Sequence, residues 1–140
     1  MPFTIDKDTA TVEIGQTNGQ INPVTGVACA VLCGQGLTIR ADDGLAYLAC
    51  AASGEADLPC LYVATRHAES GEMLTVKRMG DIRDVTGIAV GLPVYVSNTP
   101  GGFSNTPGDT TDLVGFADQC DEAFFFSPDY SVVPSHTAES

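Results

Sequence analysis

Positive charge is what this sequence has least of. Six Lys and Arg stand against eighteen Asp and Glu, for a formal net charge of −12. Such a field repels phosphate backbones, because affinity for nucleic acid comes from cationic side chains that displace counterions. It also keeps a chain soluble at high local concentration. Nucleic acid and anionic membrane are therefore not expected as partners. Long apolar runs are missing as well. The most apolar window, "GLAYLACAASGEADLPCLYVA" over residues 44–64, is broken by Glu55, Asp57 and Pro59 and cannot cross a bilayer core. The opening "MPFTIDKDTA" has no basic stretch leading into an apolar one, so a secretion signal is not expected.

Catalytic frames are scarce too. The serines of "ASGE" and "ESGE" lack the Gly-x-Ser-x-Gly frame of a nucleophile elbow. His67, between Arg66 and Glu69, has the neighbours of a general base, but no nucleophile accompanies it and a polar strand-end position is the better reading. His136 falls in the tail. "CGQG" at Cys33 to Gly36 is too short for a phosphate loop and no Lys follows it. Asp118, Asp121 and Glu122, or Asp109 and Asp112, offer oxygen ligands without the order of a calcium loop, and read as a solvated acidic face. No enzyme, cofactor or metal site is expected. The five cysteines, Cys29, Cys33, Cys50, Cys60 and Cys120, are odd in number and irregular in spacing, which fits reduced, buried thiols.

What the chain does have is turns and short alternating segments. Fifteen glycines and eight prolines separate stretches such as "VACAVLC", "LTIRA", "CLYVATRHA", "MLTVKRM", "VTGIAVGLPVYVSN" and "EAFFFS". No long amphipathic helix is found, and "LAYLACAA" reads as either helix or strand. The expected fold is mainly β, a small β-barrel or β-sandwich. Residues 25–127 make the β domain, and 128–140, with two prolines and no periodicity, a tail. Residues 1–24 are polar and Thr-rich, and read as an extended arm or as an ordinary first strand. Phe3, Ile5, Val12 and Ile14 are spaced as strand positions with one apolar face. On the arm reading they are the expected contacts with a partner, made by strand addition.

Two features recur. "GLTIRADDG" from Gly36 and "GLPVYVSNTPGG" from Gly91 both open Gly-Leu, alternate, and end in a turn. "LYVATRHAE" from Leu61 matches "LVGFADQCDE" from Leu113 with one residue inserted. Two similar β units in a pseudo-symmetric barrel account for both. The few cations also cluster, with Arg66, Lys77, Arg78 and Arg83 inside eighteen residues. They read as surface salt bridging or as a docking patch.

Gly91, Pro93, Val94, Tyr95 and Val96, then Gly101 and Gly102, then Val114, Gly115, Phe116 and Ala117, carry a family likeness. This pattern resembles the capsid decoration, or cement, proteins of tailed bacteriophages, and the likeness covers roughly residues 24–127. The resemblance implies a β-rich structural virion protein without cofactor or catalytic activity. It implies a place on the outer capsid surface, the major capsid protein as partner, and self-association as a homotrimer. The five cysteines and the long polar N-terminal segment depart from the family core. A receptor- or glycan-binding knob of a virion fibre is the alternative, and requires exposed aromatics such as Tyr47, Tyr62, Phe103 and Tyr130 at one tip.

Overall fold

The computed structural model describes residues 9–16, 20–54 and 56–128, and among these it contains strands and turns but no helix. In chain order come β1 (Thr9–Glu13), β2 (Gln20–Ile21), β3 (Ala28–Cys29) and β4 (Gly36–Ile39). Next are β5 (Ala46–Leu48), β6 (Tyr62–Ala64), β7 (Met73–Lys77) and β8 (Gly80–Arg83). The last four are β9 (Pro93–Val96), β10 (Phe103–Ser104), β11 (Leu113–Phe116) and β12 (Ala123–Phe126). The ambiguous "LAYLACAA" segment thus contributes a strand. It closes a hairpin with β4 through the Asp42–Gly44 turn, where Gly44 takes φ +74° and the Asp43 carboxylate accepts the Leu45 amide.

Two five-stranded antiparallel sheets hold the chain. The first has the order β1-β7-β6-β4-β5 and the second β8-β12-β11-β9-β10. Each sheet, followed from its first strand, runs first, fifth, fourth, second, third. The first sheet also curls on itself. A parallel bridge pairs Ile14 with Ala46, and the Gly15 amide donates to the Ala46 carbonyl at 2.8 Å, which draws the two edge strands together. Closure here requires glycine, because a Cβ on Gly15 would sit 2.5 Å from the Tyr47 ring.

Alternation along each strand separates the inside from the outside. On β7, Leu74 and Val76 are buried while Met73 and Thr75 are exposed. Leu74 and Val76 join Val12, Ile14, Val31 and Leu37 inside the curled first sheet. A second core lies under the second sheet, with Val94, Val96, Val114, Phe124 and Phe126 meeting Leu58 and Cys60. Phe103, Phe124 and Phe126 pack there, Phe103 tilted on Phe124 and the other two pairs edge to face, with centroids 5.1 to 6.5 Å apart. Val63 of β6 belongs to this second core although its strand lies in the first sheet. A Cβ on Gly36 would likewise meet Phe103 at 2.8 Å and the Cys60 sulfur at 2.9 Å. The inside of the second sheet therefore covers part of the outside of the first.

The N-terminal segment requires a correction. From Thr9 onward it is not an unpaired arm. β1 pairs with β7 from Thr9 opposite Lys77 to Glu13 opposite Met73, and β2 pairs with β3. Val12 and Ile14 are buried in the first core, because the apolar face expected to meet a partner is taken up by the chain's own sheet. Phe3 and Ile5 lie outside the described residues, as do residues 129–140 of the tail.

Candidate interaction surface

The outward side of the second sheet carries side chains that its own core does not use. Across four strands the register aligns Asp81, Phe125, Phe116 and Pro93 in one row. A second row aligns Leu113, Tyr95 and Ser104. Their neighbours Val94, Val114, Phe124 and Phe126 point into the core, so these residues face away from it. Phe116 is 47% exposed, Phe125 39% and Leu113 40%. Outward apolar residues are commonplace singly, whereas contiguous ones mark contact surfaces. The outer face of β1 and β7 is different, with Thr9 opposite Lys77 and Thr11 opposite Thr75.

A bulge sets this geometry. The β11 register shifts between Leu113 and Gly115, which sends Val114 inward and still returns Phe116 to the outer face. Gly115 lets β12 approach closely, since a Cβ there would lie 2.0 Å from the Phe125 carbonyl oxygen. Beyond Phe116, the loop 117–122 carries exposed Asp118, Asp121 and Glu122. The Asp121 carboxylate accepts the Val90 amide at 2.9 Å, and Ala117 exchanges backbone bonds with Gly91 and Leu92. Val90 and Leu92, each 46% exposed, thereby extend the apolar surface beside the acidic loop.

A second feature is a cleft of about 360 Å³ lined by Gln16, Gln20, Arg40, Tyr47, Asp57 and Pro100, among others. Arg40 Nε donates to Asp57 Oδ2 at 2.7 Å, and its guanidinium lies 3.7 Å from the centroid of the Tyr47 ring. The Tyr47 hydroxyl donates to Asp43, a bond that favours the neutral phenol and pushes its pKa up. The assembly ties the end of β4 to the chain before β6. Cys50 also lines the cleft, with its thiol donating to the Asn98 carbonyl at 3.3 Å.

The remaining candidates make hydrogen bonds within the chain. His67 Nδ1 accepts the Cys33 amide at 3.0 Å, the polar role expected for it. In the basic cluster, Arg66 donates to the carbonyls of His67 and Met73, Lys77 to the carbonyl of Asp81, and Arg83 to Gln119. Asp109 accepts the Ser53 amide and the Asn98 side chain, and these donors hold its pKa below the usual carboxylate value. Among the described residues, no three His, Cys, Asp or Glu side chains converge as a metal-ligand set. The thiols need a correction: all five are free, but only Cys29, Cys50 and Cys60 are buried. Cys33 and Cys120 lie on turns rather than inward strand positions, and are exposed. Burial, and then the neighbouring Asp112 carboxylate, push the Cys60 thiol far up.

Of the aromatics named for a fibre knob, Tyr47, Tyr62 and Phe103 do not gather at one tip. Phe103 packs on the second core, Tyr62 on the first, and Tyr47 under Arg40. Tyr130 lies outside the described residues. Sequence reasoning overlooked the Phe116–Phe125 face, although "AFFF" carried its signal. Three successive aromatics in a strand cannot all point inward, so Phe125 must face out if Phe124 and Phe126 face in. No family model matches this chain, and no curated protein sequence matches it.

Proposed function

We propose that this chain is a decoration protein that binds the outer surface of a tailed-phage capsid and stabilises the mature shell. One observation carries the reading. The stretch that bears the family resemblance forms β9 and β11, the inner strands of the second sheet, and places Pro93, Tyr95, Leu113 and Phe116 on an outward face with Phe125. An outward sheet face with exposed Phe116, Phe125 and Leu113 suits a protein partner better than a small substrate. The expected partner is the major capsid protein.

Stabilisation follows from linkage, since a ligand that binds only the mature lattice shifts the equilibrium toward it. Many equivalent weak contacts then reinforce one another through avidity, most simply if the chain is a homotrimer bridging neighbouring subunits. The shared strand order of the two sheets supports a chain made of two similar β units, the second carrying the exposed face. Sedimentation of purified protein with mature capsids and with unexpanded precursors tests the reading. Stoichiometric binding to mature shells alone is expected; no binding to either overturns it.

A further inference from the structure

We infer that the outer face of the second sheet docks on an apolar patch of the shell subunit ringed by lysine or arginine, with the loop 117–122 as its anionic rim. This inference rests on the decoration reading above. Its first support is a comparison within the molecule. β6 and β7 hold the same places in the first sheet as β11 and β12 do in the second. The residue of β6 that points away from its own sheet's core is Val63, paired with Lys77, and it is buried under the second sheet at 3% exposure. The corresponding outward pair, Phe116 and Phe125, is larger and more apolar, yet nothing in the chain's described residues covers it. Aromatic side chains at the centre of an interface are its strongest anchors once water is excluded.

Charge identifies the occupant. Asp118 and Glu122 stand exposed in the loop that follows Phe116, and among the described residues neither side chain has a hydrogen bond or ion pair. Arg83 reaches the loop's far side, where it donates to the Gln119 side chain at 3.2 Å and lies 3.9 Å from the Cys120 sulfur. A second copy meeting this face symmetrically would bring two acidic loops together on chains that already carry −12 each. Like charges so placed oppose association, whereas a basic rim on the partner accelerates encounter and fixes orientation.

The test compares wild type, F116T/F125T and D118N/E122Q for binding to mature capsids, with urea unfolding as the fold control and light scattering for self-association. Threonine suits an outward strand position, so the sheet should persist. The aromatic variant is expected to bind about 100-fold more weakly, as loss of two anchors implies. The charge variant should associate several-fold more slowly at low salt, with the difference gone near about 1 M salt, where the Debye length is short. An independent readout uses the native thiols. Alkylation of Cys120, inside the loop, should slow at least tenfold on shells, while that of Cys33, on a separate turn beside His67, stays fast. Failure of wild type to bind any shell defeats the functional reading itself. Wild-type binding with full occupancy by F116T/F125T, or with unprotected Cys120, overturns only this inference. A loss of self-association with shell binding intact also overturns it, by assigning the face to a second copy.

Discussion

The backbone amide of Cys60 donates to Asp112 Oδ2 at 2.8 Å, and both residues are fully buried. The bond joins the approach to β6 in the first sheet to the approach to β11 in the second. A buried amide that loses its acceptor bears its whole desolvation cost, and bonds to charged groups contribute about 1.5–3 kcal/mol. Asp112→Ala should therefore lower stability by roughly 2 kcal/mol, read as a lower urea midpoint with the slope unchanged. An unchanged midpoint would mean that the amide finds another acceptor.

Cys60 itself makes stability depend on alkaline pH. Its folded pKa is raised, so the native state keeps the thiol proton while the unfolded chain loses it above about pH 8.5. The unfolded state then binds fewer protons, and stability falls as pH rises. Below that pH the contribution is fully present. Beyond it the loss approaches about 1.4 kcal/mol per pH unit for this group. Urea titrations at stepped pH should show a steeper alkaline decline for wild type than for Cys60→Ala.

Thiol labelling separates the five cysteines. Under native conditions two should react rapidly with a small alkylating agent, Cys33 and Cys120, and three only on unfolding. Mass spectrometry of peptides assigns them. Rapid labelling of Cys29, Cys50 or Cys60 would contradict their burial.

Gly115→Ala tests the bulge. The added methyl would overlap the Phe125 carbonyl at 2.0 Å and press on the Phe124 ring at 2.9 Å. Neither strand can move without losing ladder bonds, so a cost of at least about 2 kcal/mol is expected, toward the upper end of overpacking effects. Near-UV circular dichroism should report disturbed aromatic packing alongside the lower unfolding midpoint.

Deleting residues 2–14 should unfold the first sheet rather than detach an arm. The deletion removes β1, and with it Val12, Ile14 and the bridge to Ala46. Ile14→Ala alone should cost about 2–5 kcal/mol, as buried Ile truncations do. A truncated chain that unfolds with wild-type cooperativity would restore the arm reading.

Much of the fold was legible because strand periodicity is local. "MLTVK" divides its residues between core and solvent whatever lies beside it, and "ADDG" demands a turn wherever its strands go. The two Gly-Leu openings lead into β4 and β9, each the second strand of its sheet in chain order. Val12 and Ile14 mark the limit of such reasoning. Their spacing established an apolar face, but not whether a partner or β7 and β5 would cover it. The same alternation that buries Phe124 and Phe126 turns Phe125 outward, yet its pairing with Phe116 depends on a bulge at Gly115 and on strands distant in sequence. Sequence by itself thus determined which side of each strand is apolar, since that follows from the pleat. Only the tertiary structure decided which apolar sides are enclosed, because enclosure depends on which strands meet and on where the first sheet curls shut.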